Sequence, residues 1–342
     1  MLYVYTLTSS PNDNFYEQFL LSASSLILKT PDANIILLCD KKTEDSLTKK
    51  RCAYKKLISN IVALDAPGNL SQVETSRWVR TSIRRFIKGD FLFLDGDTII
   101  ADDLSPIKNL NLIFAACLDK HSLIKNHSKK ENIVQNDKLL GFNSYTSNRH
   151  YNGGVLFCAD TARTHKLFER WHELWLFSKS KNIIRDQPAL NTAIIENQDI
   201  FNELEGIWNC QIAYNGLPYL CDSKIIHYFA TDTLFNEPPL LFSKSGVWEK
   251  IKETGEIPED VLEQLKNPRS AFSAESKIIS GNDALFVINS NLFQFIYLLK
   301  IKAPSLFNFI NRLCSIFKKA IKNYIIKKNS RSKASGSINL YN

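Results

Sequence analysis

The feature that most constrains this chain is the alternation of short apolar runs with helix-forming segments through its first 120 or so residues. Residues 4–8, 35–39, 61–64, 91–94 and 113–117 read as strands. Between them, residues 16–29 place Phe19, Leu20, Ala23, Leu26 and Ile27 on one helical face, residues 41–57 read as a polar helix, and residues 72–87 as a third helix. Strands and helices alternating in this way specify βαβ units, and so an α/β fold with a mainly parallel sheet and helices on both faces. Sheets of this kind bind ligands beyond the carboxyl ends of their strands, where strand order reverses. Candidate positions are therefore Thr8-Ser9-Ser10, Asp40, Asp65 and Asp95, each just after an apolar run.

The first strand is not followed by a Gly-x-Gly-x-x-Gly turn, and no Walker sequence is present, so two familiar phosphate cradles are excluded. Another device for neutralising phosphate stands at Asp95-Gly96-Asp97, directly after Phe91-Leu92-Phe93-Leu94. In an extended chain two carboxylates one residue apart diverge, but a turn at Gly96 can aim both at one hard cation. The alternative is a plain Asx turn with no metal, and the residues of this segment alone leave both open.

Further along the chain come Arg77-Trp78-Val79-Arg80, Tyr151-Asn152-Gly153-Gly154-Val155-Leu156-Phe157, Arg185-Asp186-Gln187-Pro188-Ala189-Leu190-Asn191 and Ile225-Ile226-His227-Tyr228. Taken with the opening strand and helix and with Asp95-Gly96-Asp97, their order over residues 2 to 230 resembles the nucleotide-diphosphosugar transferases of the GT-A fold, particularly the family 8 retaining glycosyltransferases.

That resemblance implies roles for particular residues. Asp95, Asp97 and His227 would ligate Mn²⁺ or Mg²⁺, with the imidazole favouring Mn²⁺. Such a cation stabilises charge on the departing nucleoside diphosphate. Leu7, Thr8, Ser9 and Tyr16 match the place where the family holds nucleobase and ribose, with uridine as the expected base. Arg77 and Arg80, three apart on one helix face, would meet the diphosphate or donor sugar, with Gly96 and Asp95 beside them; the alternative is that they only solvate the helix. Asn152, Gly153 and Gly154 would let backbone approach the sugar, or form an ordinary turn before a strand. Asp186 and Gln187 would position the sugar and its anomeric centre, or Asp186 would merely cap the helix that Pro188 opens. Retention of configuration follows from the resemblance alone. Relatives often continue past the His-Tyr with a glycine and Lys-Pro-Trp; here the chain reads Phe229-Ala230-Thr231-Asp232-Thr233, leaving Lys244 or a tail lysine to substitute.

Charge divides the chain in two. Residues 300–342 contain ten basic residues and no acidic ones, so the net charge of +8 becomes −2 for the rest. The body therefore has no nucleic-acid footprint. From Leu306, apolar residues recur at Ile310, Leu313, Phe317, Ile321, Tyr324 and Ile325 among lysines and asparagines, the pattern of a basic amphipathic helix. Such a helix either lies on an anionic membrane surface or packs its stripe on the body. Seven scattered cysteines without Cys-x-x-Cys spacing point to free thiols and a reducing compartment. With no basic leader and no long apolar run, the expectation is a cytoplasmic protein, peripheral at most on the cytoplasmic face of the membrane.

The expected organisation is a GT-A catalytic domain over 1–240, a helical extension over 241–299, a basic amphipathic segment over 300–328 and a disordered tail over 329–342. The expected function is transfer of a sugar from a nucleotide diphosphate sugar to a glycan or lipid-linked acceptor, with membrane contact through residues 300–333. The alternatives are a haloacid-dehalogenase-type phosphatase, which also places paired aspartates after an apolar strand, and a non-catalytic binding protein of the same fold.

Overall fold

The computed structural model describes residues 1–228, 245–272, 287 and 289–317. The chain divides into two units, residues 1–286 and 287–342. The first unit runs β1 (Leu2–Leu7), α1 (Phe15–Lys29), β2 (Asn34–Asp40), α2 (Lys41–Ser46), β3 (Asn60–Leu64), α3 (Gln72–Thr81), α4 (Ile83–Phe86), β4 (Phe91–Leu94), β5 (Thr98–Ile100) and β6 (Phe114–Leu118). It continues through α5 (Lys130–Leu140), β7 (Tyr151–Cys158), α6 (Ala162–Ser180), α7 (Gln187–Ile195), β8 (Phe201–Leu204), β9 (Cys210–Gln211) and β10 (Ile225–His227). Helices α8 (Ser245–Thr254) and α9 (Glu259–Lys266) follow.

The main sheet has the order β3-β2-β1-β4-β7-β6-β8. Its strands are parallel except β7, which runs antiparallel to both β4 and β6. All four residues of β4 and all eight of β7 are buried, because helices cover both faces of the sheet and leave no side for polar alternation. On one face Phe19, Leu20, Ala23 and Leu26 of α1 pack with Trp248 and Val261 of α8 and α9. On the other, Val79 of α3 joins Trp171 and Trp175 of α6 and Leu190 of α7. The α/β class and the two-sided helix cover match the sequence expectation.

Two predicted helices are broken. The polar helix ends at Ser46, and residues 49–51 and 53–56 form 3₁₀ turns instead. Lys49 takes a left-handed φ of 51°, and the break lets Arg51 donate to Ser46 Oγ and Ser9 Oγ. The helix predicted over 72–87 is interrupted at Ser82. Beyond it the buried Arg84 donates to the carbonyls of Ile87, Gly89 and Cys158, bonds that a continued helix would misaim. The α3 start was legible: Ser71 and Glu74 form a reciprocal capping box.

A second, three-stranded sheet has the order β5-β10-β9. Its ladder sets Thr98 opposite His227, one residue after Asp97. All seven cysteines are free, with Cys39, Cys117, Cys158 and Cys210 buried.

The second unit contains helix α10 (Asn291–Lys302) and a helical stretch over 304–317. Leu292, Phe295, Leu298, Leu306, Phe309, Ile316 and Phe317 are exposed there. Ile321, Tyr324, Ile325 and the expected disordered tail lie outside the described residues. Among the described residues no helix is long and apolar enough to cross a membrane.

Candidate active site

Strand order reverses between β1 and β4, so the carboxyl ends of these two strands flank a crevice. Asp95 is the first residue past β4, and its N–H donates to the Gly154 carbonyl at 2.8 Å. Because β7 is antiparallel to β4, residues 152–154 lie just beyond the Leu94–Val155 pair, at the same edge. The second sheet delivers His227 there from a point 130 residues later in the chain. One ligand atom each of Asp95, Asp97 and His227 lie within 4.8 Å of one another, and His227 Nε2 stands 3.2 Å from Asp97 Oδ1. Two metal–ligand bonds of ~2.1 Å end to end span ~4.2 Å, so a small contraction suffices to seat one divalent cation. Two carboxylates and an imidazole are a donor set suited to Mn²⁺ or Mg²⁺, and the residues present fit such an ion.

The turn that joins the carboxylates does not depend on glycine as expected. Gly96 has no left-handed φ, and a Cβ there would meet Phe19 at 3.5 Å, an ordinary contact. The Thr98 hydroxyl instead donates to the Asp95 carbonyl at 2.8 Å and closes the turn.

Glycine is required instead on the neighbouring strand, β7. A Cβ on Gly154 would lie 2.4 Å from His227 Cε1, and one on Gly153 would lie 3.1 Å from Arg80 Nη2. Both sit inside β7, not in a turn before it, and their bare faces make room for protein side chains.

Charges at this edge alternate in sign. Arg80 Nη2 lies 3.2 Å from Asp95 Oδ2 and also donates to the Gly153 carbonyl. Its Nε stands 3.7 Å from Asp186 Oδ2, and Arg77 Nε stands 3.4 Å from Asp186 Oδ1. Arg80 is buried over the Phe93 ring, so it does more than solvate its helix; Arg77 remains half-buried. Asp186 begins α7, yet its side chain makes no cap bond and serves the two arginines. Gln187 Nε2 donates to the Tyr151 carbonyl at 3.1 Å. Burial raises the Asp95 carboxyl above its ordinary value, Arg80 opposes this, and Asp97 adds to it. For His227 burial disfavours the charged ring, but Asp97 and Asp95 outweigh it and lift the imidazole above its usual value. Asp95 and His227 thus retain protons more strongly than in water.

Leu7, Thr8, Ser9 and Tyr16 form a separate group at the end of β1. Leu7, Ser9 and Tyr16 are buried, with Ser9 Oγ held between Asp13 Oδ1 at 2.7 Å and Arg51 Nη2 at 2.6 Å. Arg51 also stacks 4.8 Å from the Tyr16 ring. Of the other strand-end candidates, Asp40 caps α2 through Thr43 and Asp65 is exposed. The segment after Tyr228, and Lys244, lie outside the described residues.

Sequence reasoning missed Asp119, and it read Asn209, with Trp208, only as a core or acceptor-side residue. Asp119 follows β6 directly, so the strand-end rule that found Asp95 points to it as well. It accepts from Asn152 Nδ2 at 2.9 Å and pairs with His127 Nε2 at 3.0 Å. The next two residues, Lys120 and His121, have left-handed φ of 53° and 49°, a strained pair. Gln211 holds them by accepting from the Lys120 N–H at 2.6 Å. Nothing local in the sequence marks Asn209.

Residues 7–232 match the family described as glycosyl transferase family 8. None of the curated proteins compared matches the chain. Among solved structures, the galactosyltransferase LgtC bound to donor and acceptor sugar analogues shares 16% identity at a TM-score of 0.48, over 76% of this chain and 98% of that one. The WbbM bifunctional glycosyltransferase shares 16% at a TM-score of 0.49, over 78% and 51%. Mouse xyloside xylosyltransferase 1 shares 10% at a TM-score of 0.44, over 66% and 96%. With two thirds of its residues inside that match, the chain belongs to glycosyl transferase family 8 and is a glycosyltransferase.

Proposed function

We propose that this enzyme is metal-dependent and moves a hexose from a nucleotide diphosphate sugar, with uridine as the base, to a glycan or lipid-linked acceptor with retention. The observation that carries the reading is the meeting of Asp95, Asp97 and His227 at the carboxyl edge of the sheet. These three residues would hold Mn²⁺ or Mg²⁺, which supplies Lewis-acid stabilisation of the leaving nucleoside diphosphate. The chain's own groups do the rest. Arg80 fixes Asp95 and, with Arg77, fixes Asp186 beside the crevice. Asp186 and Gln187 position the donor sugar, while the cationic arginine pair adds to the field that favours an anionic donor. Leu7, Thr8, Ser9 and Tyr16 shape the floor of the base and ribose pocket, and Asn152, Gly153 and Gly154 let the β7 backbone approach the donor sugar. The Lys-Pro-Trp expected after the His-Tyr is replaced in this sequence, so the diphosphate relies on the cation and arginines to a greater extent. Family membership removes the phosphatase alternative.

The proposal extends to location. Residues 287–317 expose apolar side chains beside Lys300, Lys302 and Arg312 with no acidic residue among them, a chemistry suited to an anionic membrane surface. The enzyme would then work on the cytoplasmic face, on a surface polysaccharide or glycolipid.

The test is Mn²⁺-dependent hydrolysis of a panel of nucleotide sugars by wild type and Asp97→Ala. Hydrolysis lost in the variant and in excess chelator supports the reading; full activity in either ends it.

A further inference from the structure

His227 can serve a cation only through a ring nitrogen that carries no proton, and a neutral imidazole has two forms. The hydrogen bonds behind the ring select one. The Gly154 N–H, a donor and nothing else, points at Asn152 Oδ1 at 2.8 Å. The other end of that amide, Nδ2, donates to the Asp119 carboxylate at 2.9 Å. Asp119 is fixed in turn: His127 accepts the Lys129 N–H on Nδ1 at 3.0 Å, so its Nε2 donates to Asp119 Oδ2. Asn152 therefore cannot be turned over without setting donor against donor and acceptor against acceptor.

With Asn152 Oδ1 facing Asn209 at 3.0 Å, the group that meets it must be Asn209 Nδ2. Asn209 Oδ1 is thereby presented to His227 Nδ1, 3.0 Å away, and that nitrogen must carry the proton. In the neutral ring the lone pair therefore falls on Nε2, the nitrogen 3.2 Å from Asp97; without a cation that nitrogen can hold a second proton toward the carboxylate, which a bound cation displaces. Asn209, Asn152, Asp119 and His127 are all buried, Asn209 completely, so water does not compete for these bonds.

We propose that Asn209 is a positioning residue that fixes the tautomer and orientation of His227 for metal binding, through a relay anchored at Asn152, Asp119 and His127. The claim rests on the metal-dependent reading above. Side chains of this kind behind a metal-ligating histidine typically change affinity roughly 10–100-fold.

The test uses the full chain with Asn209→Leu, which is similar in size but offers no acceptor, and Asn209→Asp, which keeps an oxygen against Nδ1. Histidine ¹⁵N–¹H correlation spectra of the metal-free proteins report the tautomer, and Mn²⁺ titration followed by electron paramagnetic resonance reports affinity. The expected result is a protonated Nδ1 in wild type and Asn209→Asp, loss of that signature in Asn209→Leu, and a roughly 10–100-fold loss of Mn²⁺ affinity in Asn209→Leu that Asn209→Asp substantially restores. A neutral wild-type ring protonated on Nε2 and not on Nδ1, or a folded Asn209→Leu that keeps the wild-type tautomer and affinity, overturns the proposal. Equal losses in both variants also overturn it, since packing alone would then account for them. If wild type takes up no Mn²⁺ or Mg²⁺, the metal reading fails, while the tautomer spectra still decide the role of Asn209.

Discussion

Replacing Gly154 by alanine puts one methyl group where the His227 ring now sits. The added Cβ would lie 2.4 Å from Cε1 and 2.9 Å from both Nδ1 and Asn152 Oδ1. Carbon atoms rest at about 3.5–4.0 Å, so the ring must retreat by roughly 1 Å. His227 is 3% exposed and bridges Asn209 at 3.0 Å and Asp97 at 3.2 Å. A shift of that size takes at least one of these contacts past the range of a useful hydrogen bond. Overpacking of this kind costs about 1–3 kcal/mol. At ~2–4 °C per kcal/mol for a body of this size, the thermal midpoint should fall by several degrees. Mn²⁺ affinity should fall roughly 10–100-fold as the imidazole leaves its ligating position. Gly96→Ala is the matched control. Its Cβ meets Phe19 atoms no closer than 3.5 Å, so stability should change by less than about 1 kcal/mol. Calorimetry and Mn²⁺ titration of both variants decide the matter. A Gly154→Ala protein with wild-type melting and affinity, or a Gly96→Ala protein that loses more than it does, would refute the reasoning.

Stability should also depend on mild acid. Burial pushes His150 and His172 down to about 4 from an ordinary 6.5. The unfolded chain then binds protons that the folded chain refuses between those values, so stability is full above pH 6.5 and falls as pH drops toward 4. At pH 5 each ring accounts for about 2 kcal/mol, partly offset by His227, whose shift runs the other way; denaturant midpoints no lower at pH 5 than at pH 7.5 would contradict this. A chain ending at residue 286 should fail to sediment with vesicles containing anionic lipid while the full chain does so in a salt-sensitive way. Full partitioning of the shortened chain would remove the second unit from the membrane proposal.

The sequence fell short first where tertiary bonds override local periodicity. Residues 41–57 have helical spacing, but the pull of Ser46 and Ser9 on Arg51 costs the helix its second half. At the site, the landmarks at Asp95, Asp97, His227, Arg80 and Asp186 were visible because each lies within or at the end of an element with a clear pattern. Their mutual contacts were not. Asp186, which the sequence leaves between a sugar-positioning role and a helix cap, is found to hold Arg77 and Arg80, while the Gly153-Gly154 pair, left between a close approach to the sugar and a turn, proves to be the interior of a buried strand.

What the sequence determined by itself was the class of architecture and the edge at which chemistry must occur. Apolar periodicity decides which segments are strands, and βαβ connection decides that their carboxyl ends face one way. Only the tertiary structure decided that His227 lies across from Thr98, that Asn209 stands behind its ring, and that Gly154 must lack a side chain to admit it. These are relations between residues 18 to 129 positions apart. They are set by strand register and by the polarity of buried hydrogen bonds, neither of which leaves a local trace in the chain.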